Sequence, residues 1–211
     1  AGVVSAVGPG VTWPIGQDVI AVTRFGGYAS QVVVPASQVF MAPQGLSATQ
    51  AAGLPTVFLT ADYALHMLAR PMPGEWVLVH SAAGGVGSAL LQIARAAGCH
   101  VVGVVGAEHK VAAAQALGAT LVIDRSRADL WAAARGIAPA GFAAVFDANG
   151  VSTLADSYGH LAPAGRLVVY GFHSMLPRRG GRPNWLRLAW DYLRTPRFSA
   201  MDLVNRNKSV M

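Results

Sequence analysis

The chain has 211 residues, 53% of them hydrophobic and only 12% charged, with 24 glycines and a net charge of +6. This composition suits a large, well-buried α/β core, with no apolar run of membrane-spanning length. A single cysteine, Cys99, excludes an internal disulfide and fits a reducing compartment, so a cytoplasmic location is expected.

Residues 1–43 read as all-β, with short strands at 1–8, 18–23, 28–35 and 39–42. Gly8-Pro9-Gly10 and Gly26-Gly27 mark turns between them, as in a small barrel. A segment of ~40 residues is a poor core by itself. Its first residue already lies in a strand pattern, so the expectation is a chain that begins part-way through a domain. Ser47 is a helix N-cap with Gln50 as its capping-box partner. The helical pattern continues to Arg70, with an interruption expected at Pro55.

From there βα units repeat. Apolar strands at 77–80, 100–105, 120–123, 143–147 and 166–170 alternate with helices at 85–97, 108–117, 128–135 and 151–161. Gly98 and Gly118 follow the first two helices as caps. This alternation predicts an α/β fold with a parallel, doubly wound sheet covered on both faces. Residues 177–183 form a basic Gly/Pro loop, 184–193 an amphipathic helix, and 205–211 open a sixth strand. From Ser174 onward eight Arg and Lys stand against two Asp, so the whole positive excess lies there. It reads as a solvated surface; with no RNA-binding motif, nucleic acid is not the expected partner.

The stretch from Val77 to Gly87, VLVHSAAGGVG, organises the rest. A strand, a glycine-rich turn and a helix N-terminus together bind a dinucleotide pyrophosphate: the backbone must approach the phosphates, and the first helical N–H groups are unpaired. Against G-x-G-x-x-G the chain gives Ala82-x-Gly84-x-x-Gly87. Ala83, Gly84, Gly85, Val86 and Gly87 are the candidate cradle. Asn149 follows the fourth strand and Tyr170-Gly171 end the fifth, at carboxyl ends where such sheets bind ligands. Asn149 reads equally as a turn residue, and Tyr170 equally as core. The second strand ends in Gly106-Ala107, without the carboxylate that NAD-specific domains place there, and Lys110 projects towards the same spot. The expected cofactor is NADPH. Glu108 is the contrary feature, because turned towards the ribose it favours NAD.

The segments GPGVTWPIGQDVIAV, FGGYASQVVVPA, LPTVFLTADYAL and HSAAGGVG together resemble the medium-chain dehydrogenase/reductase superfamily, in its zinc-independent quinone oxidoreductase branch. The tail, WLRLAWDYLRTPRF and VNRNKSVM, is similar to the vesicle amine transport protein-like members. The resemblance implies a Rossmann domain over residues 56–211, preceded by part of a GroES-like β-barrel domain and a linker over 1–55. It implies that the barrel's first part, and whatever follows the opening of the sixth strand, are missing. It places Thr60 near the nicotinamide, matches Lys110 to a lysine of NADPH-using members, and offers Arg125 as a second phosphate contact. It also implies a homodimer joined edge to edge through the sixth strand in the full-length parent.

The leading expectation is hydride transfer to a quinone or an α,β-unsaturated carbonyl, with no proton donor identifiable. A chain with half of its substrate pocket absent is expected to be poorly active. One alternative is a catalytically weak, cofactor-binding adaptor associated with RNA or membranes. Another is a zinc-dependent alcohol dehydrogenase. Against zinc, none of the six histidines forms a ligand pair and there is no C-x-x-C. Around Pro55-Thr56, where zinc-dependent relatives supply a cysteine, this chain has none.

Overall fold

The computed structural model describes residues 1–173 and 184–211. It divides into two compact units, Ala1–Val57 and Phe58–Met211.

The first unit holds a three-stranded antiparallel sheet of β1 (Gly2–Val3), β2 (Asp18–Ala21) and β3 (Val39–Met41), in that order. Val19 pairs with Gly2 on one side and Met41 on the other. Residues 28–35 are not a strand, contrary to the reading of their β-branched run. Propensity alone does not make a strand; the ladder needs a neighbour, and Tyr28 and Val33 are fully exposed. The first strand is likewise confined to Gly2–Val3.

Helix α1 (Ala48–Asp62) starts at the expected capping box. The Ser47 N–H donates to Gln50 Oε1 at 2.9 Å, and the Gln50 N–H to Ser47 Oγ at 3.3 Å. The helix runs through Pro55 without the interruption expected there, although proline forfeits one backbone hydrogen bond. It continues as a π-helical segment, Tyr63–Ala69, that stops at Arg70 in the left-handed conformation.

The second unit is a six-stranded, wholly parallel sheet. Its strands are β4 (Trp76–Val79), β5 (His100–Val105), β6 (Leu121–Asp124), β7 (Phe142–Asp147), β8 (Leu161–Val169) and β9 (Ser209–Val210). The spatial order is β6-β5-β4-β7-β8-β9, the doubly wound Rossmann arrangement that the βα alternation predicts. Successive strand residues point to opposite faces. Val77 and Val79 pack with α2 (Gly85–Ala96) and α3 (Val111–Ala116) on one face. Leu78 packs with α4 (Leu130–Ile137) and α5 (Leu154–Gly159) on the other. All three strand residues are fully buried, which is why β4 reads as a continuous apolar run and not as an alternation.

Helix α6 (Trp185–Arg194) lies where amphipathic spacing placed it. The loop read at 177–183 lies outside the described residues. The expected sixth strand is narrower than 205–211, because α7 (Ala200–Arg206) occupies the approach and ends at Asn207, φ +49°. Among the described residues, no helix is long and apolar enough to cross a membrane. Sheet order reverses between β4 and β7. That reversal opens a crevice at the carboxyl ends of these two strands.

Candidate functional site

The turn after β4 is fastened to both neighbouring strands. The His80 N–H donates to Phe146 O at 3.0 Å, and the Ala82 N–H to Val104 O at 3.0 Å. Between them Ser81 takes a left-handed φ of +51°, an uncommon conformation for a residue with a Cβ. Its carbonyl turns inward and accepts the Gly84 N–H at 2.8 Å. A Cβ on Gly87 would overlap the same Ser81 oxygen and lie 3.0 Å from Ala82 Cα; one on Gly84 would sit 3.1 Å from that oxygen. Gly103, on β5, admits the Ala82 methyl group, which a Cβ there would approach to 3.1 Å.

Gly84 is the N-cap of α2 and has no side chain to bond the first N–H groups of that helix. Ala83, Gly84 and Gly85 are exposed, while Val86 packs partly against the core. The result is a side-chain-free helix N-terminus at the mouth of the crevice, which fits a pyrophosphate.

The loop after β7 meets this turn across the crevice. Ser81 Oγ donates to Asn149 Oδ1 at 3.0 Å. Asn149 is positioned from below by Asp147, whose Oδ1 accepts the Asn149 N–H at 2.8 Å and the Gly150 N–H at 3.0 Å. Tyr170 Oη lies 3.5 Å from the His80 carbonyl oxygen. Gly171 passes so close to the β7 loop that a Cβ would come within 2.9 Å of Ala148 O. The structure thus gathers the glycine turn, Asn149, Tyr170 and Gly171 at one place. Thr60 lies on α1, half-buried beside Ala61, which belongs to the core layer under β4.

Beneath the crevice floor is a polar network that sequence reasoning missed. Asp147 is fully buried, and its Oδ2 accepts from Thr153 Oγ1 at 2.7 Å and Ser157 Oγ at 2.8 Å. His80 Nε2 stands 3.0 Å from Ser157 Oγ. The Ser157 proton is directed to Asp147, so His80 carries its proton on Nε2 and donates to Ser157. Burial, only partly offset by the Asp147 charge and aided by Arg125, pushes the His80 pKa down to about 4.

The His80 pKa shift has a consequence for stability. The unfolded imidazole takes its proton near pH 6.5 and the folded one near pH 4. Between these values the unfolded state binds more protons, so this histidine lowers stability as pH falls from about 6.5 to about 4, by up to about 3 kcal/mol. Urea unfolding across that window should show the loss, and His80→Gln, which keeps a donor for Ser157, should flatten it. An equally steep profile in the variant would contradict the assignment.

At the tip of β5, Gly106 is exposed, and a methyl group on it would sit 3.6 Å from Arg125 Nε. The Arg125 guanidinium therefore lies against Gly106, and the Arg125 backbone N–H donates to Val105 O at 3.0 Å. Lys110 closes a short 3-10 turn, Glu108–Lys110, and is exposed. Among the described residues neither cation is in an ion pair. Glu108 is in one: both of its oxygens accept from Arg127, at 2.7 Å from Nη1 and in a second short contact from Nη2. Asp124, at the end of β6, accepts from the Ser126 N–H and Oγ, and these bonds hold its carboxyl below the usual range.

Among the described residues no group of three or more His, Cys, Asp or Glu is placed to hold a metal ion. Cys99 is buried, its thiol pushed up first by burial and then by the Glu75 charge.

Residues 85–210 match the zinc-binding dehydrogenase family. The human synaptic vesicle membrane protein VAT-1 homolog is 34% identical over 211 residues, covering 100% of this chain and 53% of that protein. A 2-haloacrylate reductase from a Burkholderia species is 36% identical over 179 residues, 82% of this chain and 54% of that protein. A quinone oxidoreductase from Thermus thermophilus, whose structures include a complex with NADPH, superposes with a TM-score of 0.75 at 32% identity. It covers 93% of this chain and 56% of its own. The chain spans about half the length of the curated relatives it matches. Fold, glycine turn and these similarities agree: the chain belongs to the medium-chain dehydrogenase/reductase superfamily, as a quinone oxidoreductase-type, VAT-1-like member.

Proposed function

We propose that this chain binds NADPH and is the cofactor-holding part of an oxidoreductase whose substrate is a quinone or an α,β-unsaturated carbonyl. The observation that carries this reading is the side-chain-free turn at the N-terminus of α2, with Arg125 laid on Gly106 at the neighbouring strand end. The relatives' names, a quinone oxidoreductase with an NADPH complex and a 2-haloacrylate reductase, support it.

In this reading the N–H groups of Ala83, Gly84, Gly85 and Val86, with the dipole of α2, hold the pyrophosphate. Gly87 lets α2 approach the turn. Gly106, Lys110 and Arg125 receive the 2′-phosphate, two cations and one open surface. Asn149, Tyr170 and Gly171 line the crevice towards the nicotinamide, with Thr60 on its other side. Bound NADPH supplies the hydride, and the protein's part is to orient it and exclude water. Burial, and then the Asp147 charge, hold the Tyr170 phenol above its ordinary pKa, so it acts as a donor and not as a base. The same reading assigns the outer edge of β9 to a homodimer contact.

The test is titration of NADPH and NADH against the chain and its Lys110→Ala variant. Lys110 is exposed, so the variant keeps the fold. A charge-assisted phosphate contact is worth ~1.5–3 kcal/mol, so NADPH binding should weaken roughly ten- to a hundredfold while NADH binding hardly changes. Equal losses for both, or a wild type that prefers NADH, would overturn the assignment. Oxidation of bound NADPH by a panel of quinones and enals then tests the substrate class.

A further inference from the structure

We propose that Arg127 sets the cofactor preference, by holding the Glu108 carboxylate out of the 2′-phosphate site. The inference rests on the preceding reading, in which the tip of β5 receives the adenosine ribose. A carboxylate at that tip is the usual device for selecting NAD: it accepts from the ribose hydroxyls and repels a phosphate. This chain has such a carboxylate within reach. Glu108 stands on the 3-10 turn that follows Val105, two residues before Lys110.

In the structure Glu108 is engaged elsewhere. Both of its oxygens are engaged by the Arg127 guanidinium, in a two-point pairing that fixes the carboxylate plane as well as its charge. Arg127 is itself on a built turn. Its N–H donates to Asp124 O at 3.1 Å, and the Asp124 side chain caps that turn through Ser126. Arg127 and Glu108 are each 64% exposed, where an ion pair adds little to folding stability. The pair therefore does little to hold the fold, and its removal leaves folding as the control. With it closed, the Glu108 carboxylate is spent on Arg127 and not on Arg125, which lies against Gly106, or on the exposed Lys110. With it open, Glu108 enters the space that those two cations serve.

The experiment measures dissociation constants for NADPH and NADH on the full 211-residue chain, with thermal unfolding as the check on folding. The variants are Arg127→Ala, Glu108→Gln and Glu108→Gln/Arg127→Ala. Arg127→Ala should weaken NADPH roughly tenfold, the size of a like-charge contact near a protein surface, and leave NADH unchanged or tighter. The loss should shrink at high salt. Adding Glu108→Gln to Arg127→Ala should restore the NADPH affinity, because the released carboxylate is then gone. A loss that persists in the double variant means that Arg127 touches the phosphate itself, and overturns the proposal. An unchanged NADPH-to-NADH ratio in Arg127→Ala overturns it as well. A wild type that binds neither nucleotide overturns the underlying reading of the site, and this proposal with it.

Discussion

Asp147→Ala is expected to remove a large share of the folding stability of the Phe58–Met211 unit. The carboxylate is fully buried and accepts from the Asn149 and Gly150 amides and from the Thr153 and Ser157 hydroxyls. Deleting it strands these donors where water does not reach, and each unpaired group costs about 1–3 kcal/mol. Partial relaxation brings the total to roughly 3–5 kcal/mol, against a typical stability of about 5–15 kcal/mol. Asp147→Asn keeps the shape and one acceptor oxygen, so its loss should be clearly smaller. Urea denaturation of the three proteins is the measurement. An alanine variant within about 1 kcal/mol of wild type would show that the network is not structural. NADPH affinity of the asparagine variant reads the second role of the carboxylate, since it supports Asn149 and through it Ser81.

Gly87→Ala is expected to abolish cofactor binding. The added methyl group meets backbone, the Ser81 carbonyl and Ala82 Cα, and not the far end of a flexible side chain. The turn has to move away from α2, and with it the N–H groups proposed to hold the pyrophosphate. Overpacking of this kind costs about 1–3 kcal/mol in stability. The effect on binding is larger, because a displaced cradle loses several hydrogen bonds at once; a loss of at least about a hundredfold in NADPH affinity is expected. Gly84→Ala, where the contact is 3.1 Å and single, should lose less. Titration of both variants decides, and wild-type affinity in Gly87→Ala would show that the turn does not bind phosphate.

What the sequence disclosed was whatever depends on neighbours along the chain. The capping box at Ser47 and Gln50, the apolar runs of β4 and β5 and the glycine turn are all local patterns, and each lies where it was read. The run 28–35 was equally local and misled, because its β-branched residues satisfy propensity while the ladder partner is a tertiary fact. Helix α7 had a readable start that was passed over: Ser199 Oγ accepts the Asp202 N–H at 3.1 Å, an N-cap spacing. The network under the crevice was hardly legible. Asp147 read only as a strand end, and His80 comes from a strand far away in sequence. One signal was available: an aspartate closing an apolar strand, with Thr153 at the N-cap of the next helix and Ser157 on it, asks which donors satisfy it.

The sheet order carries a kinetic consequence. β4 pairs with β5 through Val77 and Val101, close in sequence, but with β7 through Val77 and Ala144, across the whole intervening β5–α4 stretch. Closing that long loop is entropically the most demanding step, so the first βαβ half can form before the second joins it. The crevice lies on the β4–β7 seam, and Ser81 reaches Asn149 only across it. During refolding, helical circular dichroism should therefore rise before the NADPH fluorescence signal in stopped-flow mixing. Coincident rates would mean that the seam belongs to the folding nucleus.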